Sequence, residues 1–562
     1  MPYKSRWAID IPNTHLASLL LTSPTAPLSD THRCFLDAAN PETRYFTAHG
    51  FRLWCQRVAM GMRKSGLKQG DRVLLFSGND LFFPVVFMGI IMSGGIFTGA
   101  NPRFVARELA YQLQDSGAKY LLCAPSSIDT AIEAAHMAGL STDQVFVFEN
   151  LLEQHDGVLQ KGCRHWSELV ATAEEAHGFA WEELSTPQLA DTTLALNYSS
   201  GTTGRPKGVE ITHKNYVANV LQATHNLSLG EGNLEKRARA RWLCFLPMYH
   251  AMAQTIFIAS ALYRNTPVYV MPKFDLTQML EYTARYRITD LFLVPPVAVA
   301  LAKNKNNVVK RFNLSSVEVV TSGAAPLGRE ICAEVESIWP PGKINVKQGW
   351  GMTEATCTVV KWDPREVSTS TSVGEPIANC ELKIMAEDGV TEIVERNQRG
   401  EMWVRAPNVM KGYWRNPGAT RETKTEDGWL KTGDIAYVDN HGKFYVVDRI
   451  KELIKVKGNQ VAPAELEALL LTHTAIADAA VIGITMNNDE CPRAYVVLKP
   501  GQSTTVDDVL RFMIDEVSPT KRITGGVIFV DEIPKNPSGK ILRKVLREQA
   551  LVELKQDKAA KL

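Results

Sequence analysis

The sequence lacks the cysteine pairs that hold a metal or a disulfide framework. Its nine cysteines are scattered, and no two form a C-x-x-C pair. An odd count in a long chain argues against a disulfide scaffold and fits a reducing compartment. Charge of one sign is missing too: 62 Lys and Arg stand against 61 Asp and Glu, a formal net charge of +1. A partner such as nucleic acid, held by bulk charge, is therefore not expected, and tight binding of phosphates must come from a local arrangement. The opening MPYKSRWAIDIPNTH has no apolar core of the signal-peptide kind. There is no repeat of period 20–50 and no long low-complexity tract. One uncharged run, Leu81 to Ala100, has the length of a bilayer span. Pro84, Gly89, Gly94, Gly95 and Gly99 break it up. It reads as a buried helix over about Phe83–Met92, a Gly-Gly turn and a short buried strand, so no transmembrane segment is expected.

What remains is an ordinary soluble composition, 45% hydrophobic and 22% charged, on 562 residues. At roughly 100–200 residues per domain there is room for more than one core. Up to about residue 440, short apolar runs (DRVLLFSG, KYLLCAP, QVFVFEN, LALNYSS, RWLCFLPM, PVYVMP, DLFLVPP) alternate with helix-like stretches such as LTQMLEYTARYR. That alternation predicts parallel-rich α/β layers. After Lys431 the rhythm changes. TGDIAYVDNHGKFYVVDR reads as two strands about an Asn440–Gly442 turn. KELIKVKGNQVAPAELEALLLTH reads as a charged loop leading into a helix, with Pro463 near the helix start. AAVIGIT, AYVVLKP and GVIFVDEI then read as strands, and VDDVLRFMIDEV as a helix. The expected fold class is α/β: a large N-terminal domain of mixed α/β layers, residues 1–447, and a small mobile α+β C-terminal domain, 448–562. Charge density rises sharply at the boundary, near Asp448–Lys451.

The most informative segment is YSSGTTGRPKG, Tyr198 to Gly208. Four hydroxyl residues, Ser199, Ser200, Thr202 and Thr203, are interleaved with Gly201 and Gly204. Glycine lets several backbone N–H groups face one anion. The hydroxyls add donors and Lys207 adds a point charge. The combination suits a polyphosphate. It is not a Walker-type P-loop, because Lys207 is followed by Gly208 instead of Ser or Thr.

SSGTTGRPKGV resembles the signature of the adenylate-forming superfamily: acyl-CoA synthetases, 4-coumarate–CoA ligases, beetle luciferases and peptide-synthetase adenylation domains. The resemblance extends over nearly the whole chain, with further motifs in the family's order, and is nearest to the 4-coumarate–CoA-ligase-like group. It implies an acid–thiol ligase that uses ATP, Mg²⁺ and coenzyme A. A carboxylic acid becomes an acyl-adenylate with release of pyrophosphate, then a thioester with release of AMP. Two other acceptor chemistries are weighed beside it: luciferase-like oxygenation of an adenylate, and loading of a carrier-protein thiol. A non-catalytic nucleotide-binding relative is the non-enzymatic alternative.

The resemblance also assigns residues. His250, ending LPMYH, stands between the acyl pocket and the nucleotide, with Ala251 and Ala253 beyond it. Gly323, Ala324, Ala325 and Pro326 of TSGAAPLG line the adenine and acyl site, although the same residues suit a plain loop before a helix. In QGWGMTEAT, Gln348, Gly349 and Gly351 flank Trp350 beside the adenine. Thr353 meets the α-phosphate and Glu354 holds Mg²⁺, a cation that prefers hard oxygen ligands. Asp434 meets the ribose hydroxyls and Arg449 the ribose or phosphate; a buried Asp–Arg pair is the alternative. Lys540, in IPKNPSGKILRK, bridges the acyl carboxylate and the α-phosphate. Lys451 is the hinge about which the small domain turns, bringing Lys455, Lys457, Gly458 and Gln460 to the thioester step. Thr356, Cys357 and Val359 line the deeper acyl pocket. Met252 stands where plant 4-coumarate ligases usually have Tyr, which favours a medium-chain fatty, aryl or arylalkanoic acid over a phenolic one. The closing Ala560-Lys561-Leu562 resembles the S-K-L peroxisomal address and would meet the import receptor. If the tripeptide is fortuitous, the expected location is the cytoplasm.

Overall fold

The computed structural model describes residues 2–22, 29–153, 161–199, 206–456, 459–486, 489–536 and 539–560; for 459, 460, 489, 515 and 555–560 it describes the backbone alone. Two large sheets carry the parallel strands that the alternating pattern predicts. The first has eight strands, in the order Gly412–Tyr413, Lys207–Thr212, Thr193–Ser199, Ile96–Ala100, Arg72–Phe76, Ala118–Cys123, Val145–Val147 and Arg164–His165. The second has nine, with parallel strands Lys347–Gly351, Val319–Ser322, Asp290–Leu293, Trp242–Cys244, Val268–Val270 and Arg33–Asp37 at its centre. A third sheet is antiparallel and holds Glu381–Met385, Gly400–Arg405, Leu430–Val438 and Phe444–Arg449.

The uncharged run folds as its glycines and proline indicate. Helix Phe83–Met92 starts with Pro84 in its first turn, and every residue in it is buried. Strand Ile96–Ala100 follows, also wholly buried. Gly89 is where this helix meets helix Ala48–Lys64: a Cβ there would lie 2.5 Å from Val58 Cγ1. One core joins the helix to Phe97 and Val209 of the first sheet and to Leu243 and Val270 of the second. Among the described residues, no helix is long and apolar enough to cross a membrane. All nine cysteines are free.

Two segments differ from expectation. Between the hydroxyl-rich loop and helix His213–Ser228 lies a strand, Lys207–Thr212, antiparallel to Thr193–Ser199. In this pairing Lys207 stands directly opposite Ser199. The charged stretch after Lys451 is a hairpin, Ile454–Val456 against Asn459–Val461. Ile454, Val456 and Val461 are buried there, and two-residue alternation carries them inward despite the lysines between.

Beyond this hairpin, strands Ile476–Met486, Asp489–Leu498 and Val527–Phe529 form a three-stranded sheet with helices Pro463–Leu470, Val506–Glu516 and Arg543–Ala560. Its apolar residues form two clusters separate from the main core. Strand Phe444–Arg449 belongs to the antiparallel sheet to its last residue, so a boundary at 447/448 falls within that strand. The C-terminal unit rests on helix Pro295–Asn304. Lys303 Nζ donates to the backbone oxygen of Ile476 at 3.0 Å and to that of Ala477. Gly539 packs against Pro296.

Candidate active site

The sheets and the C-terminal unit enclose a cavity of about 890 Å³. Trp350, on strand Lys347–Gly351, is buried and donates its indole N–H to Asp434 Oδ2 at 2.8 Å. Asp434 lies opposite Arg449 in the antiparallel sheet, and Arg449 Nε meets its Oδ1 at 3.2 Å. Burial pushes the Asp434 carboxyl up, while Arg449, the Trp350 hydrogen bond and Lys540 pull it back. The Asp–Arg pair weighed from sequence is therefore present, and Arg449 also reaches the cavity wall.

Lys540 comes from the C-terminal unit and lines the same cavity. Its backbone N–H is fixed by Asn536 Oδ1 at 2.8 Å. Burial pushes its ammonium down to about 8; Arg449 lowers it further and Asp434 opposes. His250 opens the short helix Ala251–Ala253, which continues into a π-helical stretch, Gln254–Ser260. Such π turns gather at functional sites. Here Gln254 is tied to the Tyr216 hydroxyl at 2.7 Å and to the Tyr249 carbonyl at 3.0 Å. Burial, then the Lys540 charge, push the His250 imidazole down to about 4, so the ring is neutral at physiological pH.

Thr353 and Glu354 sit on a short 3-10 turn after Met352, both on the cavity wall. Glu354 is buried, and its Oε1 accepts the Tyr413 hydroxyl at 3.0 Å. Lys207 Nζ lies 4.7 Å from the centre of the Tyr413 ring. Tyr413 thus stands between Lys207 and the glutamate. Its phenol is pushed up by burial and by Glu354. Among the described residues Glu354 Oε2 has no hydrogen-bond partner. A hard oxygen free beside Thr353 fits a Mg²⁺ ion. A second acidic group, Asp363, Glu366 and Glu375, is already answered by Arg6, Arg365 and Lys443.

The structure brings together at this cavity Ser199, Lys207, His250, Ala251, Met252, Gly323, Ala324, Gly349, Trp350, Gly351, Thr353, Glu354, Cys357, Arg449, Lys451 and Lys540. Several expected residues stand off its wall. Gln348 spends its amide on the backbone N–H and carbonyl of Leu327, both at 2.9 Å, and so holds the TSGAAPLG loop in place. Thr356 is fully buried at φ 63° with its hydroxyl on the Asn408 carbonyl at 2.7 Å; it turns the chain and touches no acyl space. Ala253 and Val359 point into the core, and Ala325 and Pro326 lie outside the lining. Lys455 is exposed, with its backbone N–H on Glu490 at 2.8 Å, away from the cavity. Ser200, Gly201, Thr202, Thr203, Gly204, Lys457, Gly458, the Gln460 side chain and Lys561-Leu562 lie outside the described residues. Sequence reasoning missed Tyr413, whose signal, an aromatic after Gly412, is too common to read alone, and it did not place Lys361 on the cavity wall.

A neutral imidazole, a lysine delivered by a second unit, a partly free carboxylate and the Ser199 and Lys207 side chains meet around one cavity, an arrangement suited to a nucleotide and an acyl group. The comparisons agree. Residues 29–414 match the AMP-binding enzyme family and 465–540 match the AMP-binding enzyme C-terminal domain. The chain is 38% identical to 4-coumarate–CoA ligase 1 of Petroselinum crispum, over 92% of this chain and 90% of that protein. It is 37% identical to the acyl-CoA synthetase ACTT5 of Alternaria alternata, over 89% and 85%. Among solved structures, O-succinylbenzoate coenzyme A synthetase (MenE) from Bacillus subtilis, in complex with ATP and magnesium ion, superposes with a TM-score of 0.73 at 26% identity, covering 95% of this chain and 98% of that one. The chain belongs to the AMP-binding enzyme family, as an ATP-dependent acid–CoA ligase.

Proposed function

We propose that Lys540 works in the first half-reaction only, and that the conformation seen here is the one that makes the acyl-adenylate. The observation that carries this reading is that Lys540 shares one cavity with His250, Trp350 and Thr353, while Lys455 is turned outward. In adenylation a carboxylate oxygen attacks the α-phosphorus of ATP, the bond to the β-phosphate bridge breaks, and pyrophosphate leaves with the electron pair. Three negative groups crowd together, so catalysis is mostly positioning and charge neutralisation. Lys540 holds a proton between the carboxylate and the α-phosphate. Lys207 serves the β- and γ-phosphates at the hairpin. The neutral His250 closes the acyl side without adding a charge, and Trp350 presents a flat face to the purine, held edge-on by Asp434. Glu354 would hold Mg²⁺, which supplies further neutralisation of the phosphates.

The second half-reaction needs different groups. The coenzyme A thiol gives up its proton, its sulfur attacks the acyl carbon, and AMP leaves. Lys540 then blocks the approach. A turn of the C-terminal unit about Lys451, which lies on the cavity wall, would replace it with the hairpin that carries Lys455; this is hinge motion between two half-reactions. Lys540→Ala tests the assignment. Pyrophosphate release in a single turnover should fall about 10²–10³-fold, the cost of a lost preorganised donor, while thioester formation from supplied acyl-adenylate is largely kept. Equal loss in both assays would remove the division of labour.

A further inference from the structure

The lining of the cavity changes character with depth. Around the expected acyl chain it is apolar, with Trp242, Ile256 and Phe292. At the far end stands Lys361, the last residue of strand Thr358–Lys361, directly opposite Gly349. Gly349 has no side chain to cover it. Among the described residues the Lys361 ammonium has neither a hydrogen bond nor an ion pair. The charges that face it are Arg264, Lys347 and Asp290. Asp290 already accepts the Thr289 hydroxyl at 2.5 Å, and Lys347 donates to the Pro364 carbonyl at 3.3 Å. Arg264 is itself buried, and its Nε has no partner among the described residues. Ser260, at the end of the π-helical stretch, is 3% exposed and lines the cavity, and its hydroxyl has no partner among the described residues.

Lys347 is answered by Asp363, Glu366 and Glu336, while Arg264 and Lys361 share Asp290; among the described residues the Lys361 ammonium and the Ser260 hydroxyl line the cavity without an acceptor. Lys361 is half-buried on the cavity wall, and burial pushes its ammonium down to about 8, with Asp290 opposing the shift. An oxygen anion from a ligand would restore the charge and satisfy the Ser260 hydroxyl together.

We propose that Lys361 and Ser260 are a specificity subsite for the distal end of the acid, and that this acid carries a second carboxylate remote from the one that is activated. The inference rests on the ligase reading above and deepens it by naming the substrate class. Trp242 and Phe292, with ring centres 5.0 Å apart in edge-to-face contact, flank the middle of the molecule, so the spacer is apolar.

The test uses the full chain and matched pairs of acids, each monoacid against the diacid with the same aryl or polymethylene spacer, read as kcat/KM by pyrophosphate release. Wild type should prefer the diacid by at least about tenfold, the worth of one charge-assisted hydrogen bond. Lys361→Met should reverse the order by lowering the diacid and raising the monoacid, Lys361→Arg should keep it, and Ser260→Ala should narrow it. If wild type activates monoacids and the Lys361→Met ratio equals that of wild type, the distal-carboxylate subsite is wrong and the ligase stands. If no acid of either kind releases pyrophosphate, both readings fall together.

Discussion

Gly539→Ala isolates the contact that seats Lys540. Gly539 has φ +82°, and a Cβ there would stand 2.5 Å from Pro296 Cγ and 2.6 Å from its Cδ. Carbon atoms prefer about 3.5–4.0 Å, so the overlap is roughly one ångström. Pro296 cannot yield easily, since its ring is closed and its backbone starts helix Pro295–Asn304. Two costs follow, and they separate. The left-handed backbone costs an alanine about 1–2 kcal/mol wherever the C-terminal unit sits, so it weakens the fold without choosing between orientations. The clash, about 1–3 kcal/mol for an overpacked contact, exists only when the loop lies on Pro296. It should therefore slow acyl-adenylate formation by about 5- to 150-fold and spare thioester formation from supplied acyl-adenylate. Single-turnover assays of the two half-reactions read this directly. Adding Pro296→Ala removes Cγ and Cδ and should restore most of the first step, a coupling that a double-mutant cycle measures. Equal slowing of both halves, or no rescue by Pro296→Ala, would refute the argument.

Three further expectations come from the same geometry. The Lys540 ammonium, pushed down to about 8 by burial, is active in its charged form; kcat/KM for adenylation should hold below that pH and fall as pH rises through it. Lys540→Arg should carry the fall to higher pH, and a profile flat well above 8 in wild type would contradict the role. Trp350→Phe keeps a flat ring but removes the 2.8 Å hydrogen bond to buried Asp434. The KM for ATP should rise several-fold more than that for the acid, and denaturant unfolding should show a loss of about 1–3 kcal/mol; an unchanged KM for ATP would detach Trp350 from the nucleotide. Lys303→Ala removes the clasp on the Ile476 and Ala477 carbonyls, so adenylation should slow by about tenfold with thioester formation unaffected. Identical effects on both halves would mean that the clasp persists in both orientations.

Much of the architecture was legible because its causes are local. Proline and glycine mark the ends of helix Phe83–Met92, and Pro463 starts its helix where φ is already set. The motif order placed Trp350, Thr353, Glu354 and Lys540 at one site, and the cavity contains them all. The misses share a different cause. Thr356 and Gln348 sit among motif residues, yet Thr356 turns inward to Asn408 and Gln348 braces Leu327. Strand Lys207–Thr212 exists through its pairing with Thr193–Ser199, and the hairpin after Lys451 through the burial of Ile454, Val456 and Val461.

By itself, the sequence determined that this chain builds layered α/β units, because caps, turns and periodicity act over a few neighbouring residues, and through its motifs' resemblance to the adenylate-forming superfamily it indicated the residues of an adenylating ligase. Only the tertiary structure decided that Tyr413 would lie between Lys207 and Glu354, that Gly539 would rest on Pro296, and that Lys361 would line the same cavity as Lys540. Those meetings join residues far apart in the chain, and what settles them is which faces of separate sheets and helices exclude water together.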